Sequence, residues 1–178
     1  MAFSLIYFLK RFILITDKDY MVTILVEKWR DEAYERLQRE WIRGVLAGLD
    51  EVDEETSKKI LKNCGEACAK IWLDSYGYDP EYYDLSSWIR LIQQLDPEIR
   101  SVSIVGNNII YELKPKECLC PLVSGNVVKL TSKLCSSCST GFFEYIFKKV
   151  TKKTVKAKVI ESFATGANKC VFQIQIQA

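Results

Sequence analysis

The sequence contains no histidine. This absence excludes Ser-His-Asp and Cys-His nucleophiles, histidine metal ligands and an imidazole base. A general acid or base would have to be a carboxylate, a lysine, a tyrosine or a cysteine. The chain also lacks a phosphate-binding loop, the glycines of a dinucleotide-binding turn and a DNA-reading motif. We therefore favour a function other than catalysis, and leave an enzymatic one open.

Acidic side chains are scarce in the last third of the chain. Residues 114–178 carry 11 basic and 3 acidic side chains, whereas residues 1–113 carry 14 basic and 20 acidic ones. The first explanation is that the acidic and basic parts attract each other or face different surroundings. The second is that the basic part binds an anion or a nucleic acid. Because the basic residues are mostly lysines that alternate along a strand, we favour the first explanation and predict no nucleic-acid partner.

Long hydrophobic runs are also missing. The apolar N-terminal segment is interrupted by Lys10 and Arg11, is too short to span a membrane and has no small-residue cleavage site after it. We predict no membrane span and a cytoplasmic location, where thiols are reduced and cysteines serve metals or redox chemistry more often than structural disulfides. Because Met21 follows this segment, we treat residues 1–20 as an N-terminal extension.

Three segments in the first half have the period of amphipathic helices. Their predicted ranges are 21–49, 54–76 and 85–95. The first carries a row of apolar residues at four-residue spacing, and Asp53 is the predicted N-cap of the second. These helices form a predicted helical region, residues 21–98. The apolar row comprises Leu25, Trp29, Ala33, Leu37 and Trp41.

The period changes after residue 98. Short alternating segments joined by turn residues predict two β-hairpins, and a cysteine-rich crossover with one helix separates them. This order predicts an α+β fold, in which N-terminal helices precede an antiparallel sheet of two hairpins. We expect residues 99–178 to form this α+β domain and to make one compact unit with residues 21–98. The predicted strands are 101–105, 109–113, 151–163 and 170–177, and the predicted helix is 140–150.

Four of the seven cysteines lie in the crossover. Cys118 and Cys120 are spaced C-x-C, and Cys135 and Cys138 are spaced C-x-x-C. Four thiolates can close a tetrahedral zinc or iron site, and Cys170 is a fifth candidate ligand. The spacing does not separate zinc from an iron–sulfur cluster. The alternatives are buried free cysteines that only pack, or a reactive Cys138 thiol at the start of the predicted helix.

Two further features bear on the site. Cys64 and Cys68 share a helix face at i, i+4; core packing is favoured for them over a place in the metal site. Gly65 between them is costly inside a helix, which predicts a close approach to the backbone there. Glu161 is either exposed to solvent, a ligand, or paired with Lys169 across the second hairpin.

The motif formed by Glu161, Ser162, Gly166, Cys170 and Phe172, within "ESFATGANKCVFQI", resembles that of the 4-vinyl-reductase-like domain, also described as a predicted hydrocarbon-binding domain. The resemblance covers about residues 99–177.

The resemblance implies antiparallel hairpins packed on helices, frequent dimers, and a fold related to subunits of the TRAPP vesicle-tethering complex. It also implies zinc held by cysteines and a carboxylate beside an apolar small-molecule cavity. Cys170 would then be a ligand, with Cys135 and Cys138 arriving from the neighbouring helix start. Ser162 departs from the pattern, since a ligand cysteine is expected there. The additional thiols of Cys118, Cys120 and Cys135 would replace it.

Three hypotheses follow. The favoured one is a module that binds a small apolar ligand, a zinc-type ion or both, and that acts as a ligand sensor, with a homodimer as the expected assembly. The second is a thiol- or metal-dependent enzyme, either an iron–sulfur redox protein or a hydrolase in which zinc activates water and Glu161 is the nearest base. The third is a TRAPP-like scaffold without a metal, in which the cysteines only pack.

Overall fold

The computed structural model describes residues 17–177 of the 178-residue chain. It consists of two compact units, of which the first extends to Leu46 and the second comprises Ala47–Ala178. Residues 1–16 of the predicted N-terminal extension lie outside the described residues. The predicted boundary between residues 98 and 99 falls inside the second unit, so the helices of residues 54–95 belong to the same unit as the sheet.

The first unit is built on helix α1, Asp17–Gly48, where the sequence predicts a helix over 21–49. The predicted row of apolar residues along α1 is exposed: Trp29 and Trp41 are each 69% exposed and Leu37 is 66% exposed. A step of four residues advances by about 40° more than one helical turn, so a row at this spacing winds around the helix. The prediction of a helix is therefore correct, although the apolar residues on which it was based do not form a continuous buried face.

The second unit begins with helices α2, Glu54–Tyr76, and α3, Leu85–Leu95, both as predicted. Asp53 is the N-cap of α2, and its carboxylate accepts a hydrogen bond of 2.9 Å from the amide of Thr56. Gly77 ends α2 in the left-handed conformation, at φ 71°, which costs glycine little. Sequence signals at both ends of α2 therefore locate it to the residue.

The four strands form one antiparallel sheet in the order β1-β2-β4-β3. Strands β1 and β2 make the first hairpin, β3 and β4 make the second, and pairing of β2 with β4 joins them. The predicted α+β fold class, with N-terminal helices and two hairpins, is confirmed. The strands are β1, Ile99–Val105; β2, Asn108–Leu113; β3, Val155–Glu161; and β4, Cys170–Ile176.

The register of β2 and β4 sets the inner face of the sheet. Tyr111 is opposite Phe172, and Leu113 at the end of β2 is opposite Cys170. Tyr111 and Phe172 are almost fully buried in a core that also contains Trp88 of α3. The core thus ends, at the Leu113–Cys170 edge, beside the cysteine-rich crossover.

The crossover contains more regular structure than the sequence predicts. Two short helices interrupt it, and a π-helical turn then runs directly into the predicted helix. Pro121 at the first turn of α4 and the Thr131 hydroxyl that caps α5 explain the two short helices. The elements are α4, Pro121–Ser124; α5, Ser132–Leu134; the π-helical turn, Cys135–Ser139; and α6, Thr140–Thr151.

Helix α6 packs against α2 on one side and the sheet on the other, with Phe143 and Phe147 in the core. Within residues 17–177, no helix combines the length and the apolar character needed to cross a membrane.

Candidate functional site

The site begins where α2 meets the start of α6, at two glycines. A Cβ atom on Gly65 would lie 1.9 Å from the carbonyl oxygen of Cys138, and one on Gly141 would lie 2.3 Å from the carbonyl oxygen of Lys62. Neither distance is compatible with a side chain, so the two backbones are in direct contact. The close approach predicted from Gly65 is confirmed, and it brings the π-helical turn onto α2.

This contact brings two thiols together. Cys68 lies one helical turn after Gly65, and its side chain lines the same cavity as that of Cys138. The hydrogen bond from Cys138 lowers the pKa of Cys68 to about 6, while the same hydrogen bond, together with burial, raises the pKa of Cys138. Cys138 is buried and Cys68 is exposed. Cys68 is therefore the thiolate of the pair and Cys138 its proton donor.

Both thiols line a cavity of about 670 Å³. Its walls come from α2, the end of β2, the segment after β2, the π-helical turn, α6 and β4. The volume is that of a site for a drug-sized molecule, and most of the wall is apolar. Six of the seven cysteines line it: Cys68, Cys118, Cys120, Cys135, Cys138 and Cys170. Six aromatic residues line it as well: Trp72, Tyr76, Tyr111, Phe142, Phe143 and Phe172.

Few polar groups face this apolar wall. Tyr111 is 5% exposed, and burial, followed by the nearby charges of Asp96 and Tyr76, raises its pKa well above the ordinary value. Its phenol is therefore protonated and can donate a hydrogen bond. Asp96 accepts a hydrogen bond of 2.9 Å from the amide of Glu98. Among the described residues that line the cavity there is no lysine or arginine.

The thiols around the cavity affect one another's pKa values. The hydrogen bond with Cys68 and burial, followed by the charges of Cys68 and Cys120, raise the pKa of Cys138. Burial first, and then the charges of Cys135 and Cys118, raise the pKa of Cys170. The sequence does not predict the Cys68–Cys138 pair. The sequence feature that could have indicated this pair is Gly65, because a glycine is required where α2 contacts the backbone at Cys138.

All five predicted metal ligands of the crossover and β4 line this one cavity. They do not converge as a ready-made site: across residues 17–177, no three Cys, Asp or Glu side chains are placed to hold one metal ion. A four-thiolate ion would therefore require several of these side chains to move closer together. The predicted ligands are Cys118, Cys120, Cys135, Cys138 and Cys170.

The other predicted site residues lie apart from the cavity wall. Cys64 is exposed and does not line the cavity. Partial burial, followed by the charge of Cys68, raises the pKa of its thiol. Glu161 forms an ion pair of 3.7 Å with Lys169, which was one of its three predicted arrangements. Ser162, where the resemblance places a ligand cysteine, is buried and does not line the cavity.

A second, polar groove of about 910 Å³ runs between α2 and α6. Its lysines face glutamates: Lys62 contacts Glu144 at 2.7 Å, and Lys152 contacts Glu81 at 3.3 Å. Glu144 also accepts a hydrogen bond of 3.0 Å from the amide of Ala157 in β3. Charges of both signs alternate along this groove, so it has no surface that is uniformly positive or negative. Its ion pairs and hydrogen bonds connect α2, α6 and β3.

The fold and cavity define a small α+β protein with an apolar, thiol-lined cavity. The chain belongs to the family described as a family of unknown function (DUF6144), whose profile matches residues 14–178. This match does not confirm the resemblance to the 4-vinyl-reductase-like domain. None of the curated proteins matches the chain.

Among solved structures, the chain is similar to the crystal structure of the phenol-responsive sensory domain of the transcription activator PoxR with phenol. The two chains are 10% identical, with a TM-score of 0.46 over 81% of this chain and 73% of that one. At this TM-score we infer nothing about function from the similarity.

Proposed function

We propose that this protein binds a small apolar molecule in the thiol-lined cavity and acts as a ligand-binding module. The observation that carries this proposal is the cavity of about 670 Å³, whose wall is largely aromatic and aliphatic. A cavity of this size and character occurs in ligand sites, where apolar walls supply affinity and a few polar groups fix orientation. A sensor role would follow if binding changed the contacts of the surrounding elements.

The wall also limits the chemistry of the ligand. No cationic side chain among the described residues lines the cavity, so a phosphorylated or carboxylated ligand would lose its hydration without gaining a partner. The polar side chains other than cysteines in the wall are those of Ser75, Tyr76, Asp96, Tyr111 and Ser139. The ligand that fits best is uncharged, with an aromatic or branched apolar body and few hydrogen-bonding groups.

Binding of the neutral dye Nile red tests this proposal with the full chain. We expect saturable binding with a fluorescence increase, and competition by uncharged aromatic molecules such as naphthalene. Leu113→Trp places an indole in the cavity wall at the end of β2. This change should weaken dye binding by about tenfold or more, the loss expected when apolar burial worth about 1.4 kcal/mol is blocked.

The matched control is Ile110→Trp, which also introduces a tryptophan, three residues earlier in β2 and on the opposite face of the sheet. It should bind Nile red as the unchanged protein does. Equal binding by both variants, or binding that does not saturate, would show that the dye does not enter the cavity and would refute the proposal.

Metal coordination is the second candidate, because six of the seven cysteines line one cavity. Thiolates suit zinc and iron–sulfur clusters. The arrangement described above lacks three converging ligands in residues 17–177, so coordination would require several of these side chains to move closer together. The resemblance to the 4-vinyl-reductase-like domain, a homodimeric assembly and a cytoplasmic location also stay predictions.

A further inference from the structure

We propose that the Cys68–Cys138 pair reduces an apolar organic hydroperoxide bound in the cavity and becomes a disulfide in doing so. This inference deepens the proposed function and rests on it, because it takes the same cavity as the binding site. It adds a substrate class, a reacting pair of residues and a chemical step.

The first support is the placement of the two thiols. Both side chains line the same cavity, and they come from segments 70 positions apart in the sequence, residues 68 and 138, whose backbones meet at Gly65. Direct contact between Gly65 and the Cys138 carbonyl fixes this neighbourhood. A disulfide therefore needs only small side-chain movements, since the backbones are already close.

The second support is the difference in access between the thiols. Cys68 is exposed and Cys138 is buried, and both line the cavity. Cys68 is therefore the more accessible of the two thiols, and Cys138 is the protected one. This is the order that a two-step oxidation needs, in which one sulfur attacks the oxidant and a second, protected sulfur completes the reaction.

The third support is the character of the wall, which selects among oxidants. Six aromatic side chains surround the cavity, and no lysine or arginine among the described residues lines it. Small charged disulfides would be disfavoured by desolvation, and hydrogen peroxide has no apolar part to bind. An organic hydroperoxide combines an apolar body with a reactive O–O bond, so it fits both the wall and the dithiol.

The step balances without a further reactant. The Cys68 thiolate attacks the terminal oxygen of the hydroperoxide ROOH, the O–O bond breaks, and the alkoxide takes a proton from water and leaves as the alcohol ROH. Cys68 is then a sulfenic acid. The Cys138 sulfur attacks the Cys68 sulfur, the S–S bond forms, and water leaves with the Cys138 proton. The hydroperoxide is reduced by two electrons, and the two thiols are oxidised to one disulfide.

The test is a single turnover of the full chain, fully reduced and treated with a chelator. Cumene hydroperoxide or hydrogen peroxide is added, free thiols are alkylated, and peptides are mapped by mass spectrometry. We expect a disulfide between Cys68 and Cys138, formed about tenfold faster with cumene hydroperoxide than with hydrogen peroxide. A disulfide mapped to Cys135 and Cys138 would overturn the proposal, as would equal rates with the two oxidants.

Variants separate the two steps. Cys138→Ser should stop at the Cys68 sulfenic acid, which dimedone traps, and Cys68→Ser should form neither product. Cys64→Ser, which alters a thiol one turn earlier on α2 and outside the cavity wall, should react as the unchanged protein does. Dimedone labelling of Cys138 instead of Cys68 would overturn the assignment. If Cys138→Ser does not fold, the disulfide map of the unchanged protein still decides.

Nile red binding to Cys68→Ser distinguishes this inference from the proposed function. If the variant binds the dye but the unchanged protein forms no Cys68–Cys138 disulfide, the cavity binds apolar ligands and the hydroperoxide step is refuted. If neither protein binds the dye, the proposed function fails first and takes this inference with it.

Discussion

Gly65 and Cys138 are in backbone contact: a Cβ atom on Gly65 would lie 1.9 Å from the Cys138 carbonyl oxygen and 2.8 Å from the amide nitrogen of Phe142. Both obstacles are backbone atoms, so a rotamer change cannot relieve the clash. The spacing of α2 from α6, the meeting of Cys68 with Cys138, and the shape of the cavity all depend on the absence of one methyl group.

We therefore expect Gly65→Ala to lower the free energy of unfolding by about 1–3 kcal/mol, the usual cost of overpacking a tight contact. Urea titration measures it. Gly44→Ala is the matched control, because Gly44 is also inside a helix and, among the described residues, no atom beyond its own stretch of helix would lie within 4 Å of a Cβ atom there. That change should be neutral or should stabilise by up to about 1 kcal/mol. Equal effects of the two substitutions would contradict the contact.

Glu144 gives a second prediction about stability. Its carboxylate accepts hydrogen bonds from Lys62 and from the amide of Ala157, and its side chain is only 20% exposed. Glu144→Gln should lower the free energy of unfolding by about 1–2 kcal/mol, because hydrogen bonds to a charged group are lost at a partly buried site. In Glu66→Gln, which breaks an exposed pair with Lys70, the change should stay below about 0.5 kcal/mol. Similar losses in both variants would contradict this prediction.

The thiol pair predicts an unusual pH dependence. The pKa of Cys68 is lowered to about 6 from an ordinary value of 9.0, and the largest cause is the hydrogen bond from Cys138. Only the thiolate reacts with iodoacetamide, so alkylation of Cys68 should be slow below about pH 6 and should reach its plateau near neutrality. Mass spectrometry of the peptide containing Cys68 measures this rate between about pH 5 and 10.

The matching variant is Cys138→Ala, which removes the thiol donor. The midpoint of the Cys68 alkylation profile should then move to higher pH. A midpoint near 9.0 in the unchanged protein, or a profile that Cys138→Ala does not shift, would be inconsistent with the hydrogen bond.

Metal content provides a fourth prediction. If a thiolate site forms, protein purified without oxygen should contain stoichiometric zinc or show the visible absorption of an iron–sulfur cluster, and a chelator should lower its melting temperature. Cys135→Ser and Cys138→Ser should each lose the metal and much of the stability. Cys64→Ser should keep both, since Cys64 does not line the cavity. Unchanged metal content and melting in the first two variants would exclude them as ligands.

The sequence predicts the fold well, because the fold depends on local signals. Asp53 and Gly77 mark the ends of α2, and alternating apolar residues mark the strands. The π-helical turn was not predicted, because its residues are small and polar and it forms where α2 presses against the chain at Gly65. Tertiary contact rather than local propensity determines that turn.

The residues around the cavity are harder to predict, for a related reason. Spacing within one segment pairs Cys135 with Cys138, but it does not show which distant thiol lies near them. That depends on how α2 lies on the π-helical turn, which no spacing encodes. Cys68 was thus assigned to core packing, whereas it is exposed and lies near Cys138. Gly65 indicates that α2 is in close contact with another segment, but it does not indicate that Cys68 is brought near Cys138.

The hydrogen bond from the Ala157 amide to Glu144 also has a consequence for the edge of the sheet formed by β3. Strand β3 is an edge strand, and edge amides are the groups through which sheets recruit foreign strands. Here a carboxylate from α6 already occupies the Ala157 amide. A strand approaching β3 would have to displace that charge, so we expect any sheet-to-sheet joining of two copies to occur along β1, where Val105 is 62% exposed.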